Sequence, residues 1–358
     1  MSAVASPEVI RAVQVVIGVD THQDKHVAVA IDQQGVRLAE CHAPATSYGY
    51  GELERWSRDL GEVRAFGVEG TGSYGAGLAR FLVGRGFSVV EVNRPDRSVR
   101  RRKGKSDPTD AEMAARAVLA GVADATPKSG DGEVEMLRML KSAKDSAVKA
   151  RTQAVNQMRA FVVTAPAGLR ETLDGLSPSA LAVRCRGFRP GRLENPTAAA
   201  KYALRSLACR YLQLDKETRE LQGELERLTR MAAPALVSTF GVGPDTAATL
   251  LISAGSNPQR LRSEAAFASL CGVNPVPASS GKTNRHRLNR GGDRQANSAL
   301  YLIVLVRLRY DRRTKEYMQR RTGEGMSKTE IIRCLKRYVA RELFSVLQSA
   351  VRPPCNVS

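Results

Sequence analysis

The chain has 358 residues, with 55 Lys/Arg against 36 Asp/Glu and a formal net charge of +19, a length that holds two or three domains of roughly 100–200 residues. Hydrophobic residues at 42% and charged residues at 25% are the balance of a folded protein, which excludes a disordered basic tail or a collagen-like chain, while the basic excess calls for a polyanionic partner. No apolar run reaches the roughly 18 residues that span a bilayer, the start MSAVASPEVIRAVQVVIGVD has no basic n-region or cleavage site, and no basic amphipathic anchor flanks an apolar segment. The expected setting is cytoplasmic and nucleoid-associated, with nucleic acid as partner and no membrane. Six scattered cysteines without a CxxC pair, and only four histidines, argue against disulfides and structural zinc.

In chain order, the β-branched run Val13 to Val19 reads as a buried strand ending on Asp20, and His26–Ile31 and Val36–Cys41 read as two more strands of an antiparallel meander. A helix from about Tyr48 to Leu60, a strand Val63–Val68 ending on Glu69, a helix from about Tyr74 to Arg85, a strand Phe87–Val92 and a helix opening at Asp107 follow. Three antiparallel strands and then alternating helix and strand is the order of an RNase H-like (RuvC-like) domain. Residues 131–235 change character. Glu135 to Phe161 carries a helical apolar stripe, and Leu207, Leu214, Leu221 and Leu228 fall seven apart with Tyr211, Thr218 and Leu225 between them, a coiled-coil period. The same period suits a helix pair within the chain or a dimerisation zipper. Residues 164–196, with four prolines and four glycines, read as an irregular tip or inserted loop.

From Ser238 the stretch STFGVGPDTAATLLISAG reads as a helix end, a tight Gly-Val-Gly turn and a second helix from near Pro244, a helix-hairpin-helix-like element whose turn amides would face a phosphate. Residues 281–341 hold 17 Lys/Arg against 5 Asp/Glu. The fold class is therefore α/β plus all-α. The expected domains are a RuvC-like catalytic domain at 1–130, a helical coiled-coil region at 131–235 and a C-terminal helical domain at 236–350.

Asp20 and Glu69 end strands that neighbour each other in an RNase H-like sheet, and Asp107 and Asp110 lie one turn apart on one helix face. Four converging carboxylates supply the hard oxygen ligands that Mg²⁺ prefers, with Mn²⁺ an accepted substitute, and such ions clamp the oxygens of a phosphodiester under attack. Each acid has a purely structural reading as well. Asp107 before Pro108 suits an N-cap, Asp110 suits the helix dipole, and Asp20 and Glu69 suit turns. The joint order of all four favours the metal site. Between them the run 94–106 contains Arg100, Arg101, Arg102, Lys103 and Lys105, suited to a nucleic-acid backbone.

Residues 270–300 place Ser279 and Ser280 before Gly281, with Lys282, Arg285, His286, Arg287, Arg290 and Arg294 behind. From composition this is a phosphate-binding loop, with serines as donors and glycines for close backbone approach. A serine nucleophile would need a base nearby, for which His286 is a candidate, and cations around the phosphate would stabilise its transition state.

The motifs IGVDTHQDKHVAVAID, GVEGTGSYG and KSDPTDAEMAARA, then STFGVGPDTAATLLISAG and FASLCGVNPVPASSGKTNRHRLNRGGDRQANSALY, resemble those of the insertion-sequence transposases of the one-ten group, relatives of the Piv-type DNA invertases, over nearly the whole chain. The resemblance implies that Asp20, Glu69, Asp107 and Asp110 are the DEDD acids, and that a serine of the SSG motif, Ser280 with Ser279 as fallback, bonds covalently to DNA phosphate. It further implies a composite site, acids from one subunit and serine from another, in a homodimer that assembles to a homotetramer. The other partners it implies are donor and target DNA and a structured guide (bridge) RNA, with sequence read by base pairing. The chain departs from many relatives in having Asn289-Arg290-Gly291-Gly292 where they have a lysine-arginine-glycine step. The leading expectation is thus an Mg²⁺-dependent, RNA-guided serine recombinase of a mobile element. The alternatives are a RuvC-like structure-selective nuclease or junction resolvase without a covalent intermediate, and a nucleic-acid-binding scaffold with structural acids.

Overall fold

The computed structural model describes residues 13–92, 106–279 and 286–350. The chain forms two compact units, residues 1–130 with 257–262, and residues 131–256 with 263–358.

The first unit is built on five strands, β1 (Gln14–Thr21), β2 (Lys25–Ile31), β3 (Arg37–Pro44), β4 (Glu62–Glu69) and β5 (Val89–Val92), in the sheet order 3-2-1-4-5. The pairs β1–β2 and β2–β3 are antiparallel and β1–β4 and β4–β5 parallel. The meander arises because Asp32 turns the chain between β2 and β3, its carboxylate accepting from the amides of Gln34 and Val36. The parallel step needs a crossover, supplied by α1 (Ser47–Asp59), whose first turn is capped by Thr46. α2 (Ala76–Gly84) links β4 to β5, and α3 (Asp107–Leu119) follows.

Strand alternation sorts the side chains onto two faces. Val15, Ile17, Val19, Phe66 and Val68 pack with Leu53, Leu78 and Leu82 beneath α1 and α2. Val16, Gly18 and Asp20 face the other way, toward α3, and Val16, Val29 and Ile31 pack there on Ala111 and Ala115. This second layer is unusually close. A Cβ added at Gly18 would stand 1.9 Å from the Ala111 carbonyl oxygen and 2.4 Å from the Ala115 nitrogen, and one at Gly67 would stand 2.7 Å from Val118 and 3.0 Å from the Ala114 carbonyl oxygen. Gly18 and Gly67 are register partners. Together they form a bed without side chains on which the alanine face of α3 rests, and this fixes where the first turn of α3 falls relative to the ends of β1 and β4. Residues 257–262 belong to this unit, with the Asn257 amide donating to the Pro127 carbonyl at 2.9 Å and accepting from the Ser129 amide at 3.2 Å.

The second unit opens with two long helices, α4 (Gly132–Thr164) and, after two short ones, α7 (Pro196–Ala232). They run antiparallel, tied by an ion pair from Arg151 to Asp215 at 2.6 Å. The heptad seam of α7 is used within the chain. Leu204, Tyr211, Thr218 and Leu225, seven apart, are all buried, and Leu204 and Tyr211 pack with Val155, Met158 and Val162 of α4. The expected irregular tip is helical instead, with α5 (Ala167–Leu173) and α6 (Pro178–Arg186). Its prolines and glycines punctuate helices: Pro166 and Pro178 stand at helix starts, Ser177 caps α6, and Gly175 (φ +68°) makes the turn between them.

The remainder comprises α8 (Pro234–Ser238), α9 (Pro244–Ala254), α10 (Glu264–Leu270), a hairpin of β6 (Pro275–Pro277) and β7 (His286–Leu288), α11 (Arg294–Tyr310), α12 (Arg312–Gly323) and α13 (Lys328–Ala350). α13 buries Ile331, Leu335, Val339, Leu343 and Leu347 at helical spacing. Arg337 and Arg341 hold Glu264 of α10 at 2.9 and 2.8 Å. Among the described residues no helix is long and apolar enough to cross a membrane.

The glycine bed makes a direct prediction. Gly18→Ala overpacks the contact with α3 and costs about 1–3 kcal/mol in urea unfolding. Gly51→Ala, in α1 with nothing within 4 Å of the added carbon, gains about 0.5–1 kcal/mol from helix propensity.

Candidate active site

The two strand ends repeat one pattern, Gly18-Val19-Asp20 and Gly67-Val68-Glu69. Because Gly18 pairs with Gly67 and Val19 with Val68, the two acids come next, side by side on the face that α3 covers. Thr21, on the opposite side of β1, donates its hydroxyl to the Glu69 carbonyl oxygen at 2.9 Å and ties the two strand ends together. Asp20 is buried and Glu69 half-buried.

α3 brings the other two acids. Its N-cap is Ser106, whose hydroxyl accepts from the Thr109 amide, with Asp107 as the first helical residue. This corrects the structural reading of Asp107 as the cap itself, since the serine one residue earlier takes that role. The Asp107 carboxylate is therefore left for the site. Asp110, one turn on, is 2% exposed.

Sequence reasoning missed His22. Its Nε2 stands 3.1 Å from Asp20 Oδ2 and 3.5 Å from Asp107 Oδ1, and donor atoms of Asp20, His22 and Asp107 all lie within 4.8 Å of one another. The signal was the spacing: residues two apart along a strand and its extension project to one side, so Asp20-Thr21-His22 places acid and imidazole together. Two ligands at about 2.1 Å from Mg²⁺ stand at most about 4.2 Å apart, so the trio fits one divalent ion after closing by a few tenths of an ångström. Burial pushes the Asp20 carboxyl above its ordinary range. His22 opposes that shift, and the negative charges of Asp110 and Asp107 add to it.

The second unit contains the serine motif. Ser279, exposed, follows β6, and β7 begins at His286. Ser280, Lys282 and Arg285 lie outside the described residues, as do Arg100, Arg101, Arg102, Lys103 and Lys105 of the first basic run. Arg287, Arg290 and Arg294 are exposed. Extensive bonding anchors the base of the hairpin. The Asn289 amide donates to the Asn274 side chain at 2.8 Å and to the Ser269 carbonyl at 3.2 Å, and its oxygen accepts from the Gly291 amide. Asn297 donates to the carbonyls of Cys271 and Gly272. Gly292 lies so close to Gly272 that an added Cβ would stand 2.2 Å from its nitrogen. The Asn289-Arg290-Gly291-Gly292 departure is thus a structural turn. Cys271, buried beside it, has its thiol pushed up to about 12 by burial and by Asp293, which makes it an inert packing group.

The expected helix-hairpin-helix-like order around Gly241 and Gly243 is present, but its first helix is the single turn α8. The start of α9 carries Asp245, which is paired with Lys141 at 3.3 Å and with Lys144. Burial pushes that carboxyl up, yet the Lys144 hydrogen bond and the two lysine charges outweigh it and hold the group below its usual range. A phosphate approaching this helix end meets a carboxylate already satisfying the dipole, so the turn serves packing.

Two family models match the chain in order. A DEDD transposase model of IS110 elements, described as "Transposase", covers residues 17–165, and one described as "Transposase IS116/IS110/IS902 family" covers residues 233–319. The chain is similar to the insertion element IS110 uncharacterized 43.6 kDa protein of Streptomyces coelicolor, 30% identical over 146 residues, 40% of this chain and 36% of that protein. It is also similar to the insertion element IS900 uncharacterized 42 kDa protein of Mycobacterium paratuberculosis, 24% identical over 397 aligned positions that cover 92% of this chain and 95% of that protein. The first family model takes in Asp20, Glu69, Asp107 and Asp110, and the second takes in the serine hairpin. With both matches in chain order and one relative aligned along nearly its whole length, the chain belongs to the IS110/IS116/IS902 family of transposases.

Proposed function

We propose that the protein is an RNA-guided DNA recombinase of a mobile element, cutting and rejoining donor and target DNA through a serine-DNA phosphodiester, with Mg²⁺ or Mn²⁺ held by a DEDD centre. The observation that carries this reading is the meeting of Asp20, His22 and Asp107 at one end of the sheet, with Glu69 on the neighbouring strand end and Asp110 one turn along the same helix. The 3-2-1-4-5 strand order supports an RNase H-like (RuvC-like) fold for this part. The exposed hairpin flanked by Arg287, Arg290 and Arg294 supports a serine presented to a polyanion.

In this reading Asp20, Glu69, Asp107 and Asp110 hold the metal, which when bound neutralises charge on a phosphate oxygen. His22 adds a nitrogen donor to the set or orients Asp20 and Asp107. Ser280, with Ser279 as fallback, attacks the phosphorus: a serine Oγ–P bond forms, the bond from phosphorus to one sugar oxygen breaks, the serine proton passes to a base and the released sugar oxygen takes up a proton. Arginines around the phosphate stabilise its transition-state charge. Rejoining is the reverse step with a different strand end, so no external energy source is needed. Within the same proposal the acids come from one subunit and the serine from another, in a dimer that pairs to a tetramer. The basic runs carry guide-RNA and DNA backbones while base pairing selects the sites.

Two results test it. Asp20→Asn raises the melting temperature of the metal-free protein at pH 7, because the folded state disfavours the charged form of this buried acid: that cost is present above the raised folded pKa and disappears as pH falls through it. The same substitution abolishes the stabilisation that Mn²⁺ or Mg²⁺ gives the wild type, about 2.7 kcal/mol when the ion is at a hundred times its Kd. With guide transcript, Mg²⁺ and labelled duplexes, a denaturing gel resolves protein-linked DNA for the wild type and none for Ser280→Ala, which still binds DNA. Cleaved, protein-free DNA that persists in Ser280→Ala and is lost in Asp20→Ala would make the protein a hydrolytic nuclease instead.

A further inference from the structure

At the base of the serine hairpin, between α11 and α13, lies a pocket of about 500 Å³. Its wall brings together Arg290, Arg294, Arg333 and Lys336 with Asn297 and Tyr301, and among the described residues no Asp or Glu lines it. The arrangement follows from helical spacing. Arg294, Asn297 and Tyr301 follow one stripe of α11, while Thr329, Arg333 and Lys336 follow one stripe of α13, so both helices present their polar stripe to the same hollow.

Lys336 is the informative member. It is 9% exposed, and its ammonium donates to the Asn297 side-chain oxygen at 2.8 Å, an amide oxygen where a buried lysine ordinarily meets a carboxylate. Burial and the charge of Arg333 both push its pKa down. Elsewhere in this unit buried or half-buried cations are matched by acids: Lys141 with Asp245, Arg151 with Asp215, Arg337 with Glu264. Asn297 spends its two other contacts on the carbonyls of Cys271 and Gly272 and so aims its oxygen, and with it the ammonium, from the hairpin base. The fold thus concentrates positive charge on one wall, with Glu330 beside it, a carboxyl held below its usual range by the Ser327 hydrogen bonds and also by the charge of Arg333.

We propose that this pocket seats a backbone phosphate of the nucleic-acid strand that runs along β7, with Arg333 and Lys336 as its deepest cations and the exposed ring of Tyr301 against the adjoining sugar or base. β7, exposed over His286, Arg287 and Leu288, leads straight to Asn289 and Arg290 at the pocket edge, so a strand laid along β7 reaches the pocket without crossing an acid. Four cations exceed what a free monoanion needs and suit successive phosphates. The inference rests on the hairpin handling nucleic acid, and it is independent of whether Ser280 attacks.

The test is fluorescence anisotropy of the full-length protein with a labelled DNA duplex in EDTA, where no chemistry occurs, over 50–300 mM salt as a working range of about half a decade around the cellular value. Arg333→Gln and Lys336→Gln each weaken binding roughly tenfold and reduce the salt slope by about one. Arg138→Gln, on α4 and paired with Glu135, leaves both unchanged. Circular dichroism melting checks that each variant is folded, and half-buried Arg333 carries the test if Lys336→Gln is not. Wild-type affinity and slope in the folded variants would overturn the proposal, as would displacement of the duplex by about 1 mM nucleoside monophosphate, which would assign the pocket to a free nucleotide. Because this assay reads binding alone and the protein-linked DNA gel reads chemistry, failure of the pocket and failure of the catalytic reading give different results.

Discussion

The acid-bearing unit of this protein depends on how closely one helix approaches two strands. Gly18 and Gly67 remove the side chains that would hold α3 away, and Ala111, Ala114 and Ala115, all fully buried, give the helix a flat face to lay down. An added methyl group at Gly18 would fall within 2 Å of the α3 backbone. That contact sets the height of the first helical turn over the sheet edge, and so the distance from Asp107 to Asp20. The rest of the centre follows from registers already fixed, since parallel pairing aligns Gly-Val-Asp with Gly-Val-Glu and carries both acids to one edge.

Electrostatics then explains why so crowded a group of acids is tolerable. Burial raises the pKa of Asp20, and the charges of Asp110 and Asp107 add to that shift. His22 gives partial relief by standing between Asp20 and Asp107. A divalent cation would give more, at the same place and with the same donors. The hairpin of the second unit shows the opposite sign: a buried lysine with an amide for a partner, beside Arg333, in a hollow without acids. One unit concentrates negative charge suited to a cation, the other positive charge suited to a phosphate.

Much of the first unit was legible in the sequence because its strands are continuous β-branched runs and its acids end them. The order of five strands and three helices, and the adjacency of β1 and β4, follow from those runs. His22 was hidden because THQDK reads as a turn, and only the two-residue strand period places it beside Asp20. The alternative reading of Asp107 as a cap fails because Ser106, the better cap, sits one residue earlier. In the second unit the heptads of α7 were visible, but periodicity alone does not say which partner fills the seam; the buried Leu204 and Tyr211 packed on α4 do. Proline and glycine between 164 and 196 signal breaks equally well for a loop and for short capped helices, so the tip was misread. The short strands flanking the serine were illegible because three residues each, with prolines in β6, carry no alternation.

The central claim is that the approach of α3 to Gly18 and Gly67 builds a divalent-metal centre from Asp20, Glu69, Asp107, Asp110 and His22. The most direct measurement is anomalous X-ray diffraction from crystals of the protein grown with Mn²⁺. The account predicts an anomalous peak at the shared ends of β1 and β4, within about 2.0–2.3 Å of Asp20 and Asp107 oxygens. Mn²⁺ bound only elsewhere, or an empty acid edge with saturating Mn²⁺, would contradict it.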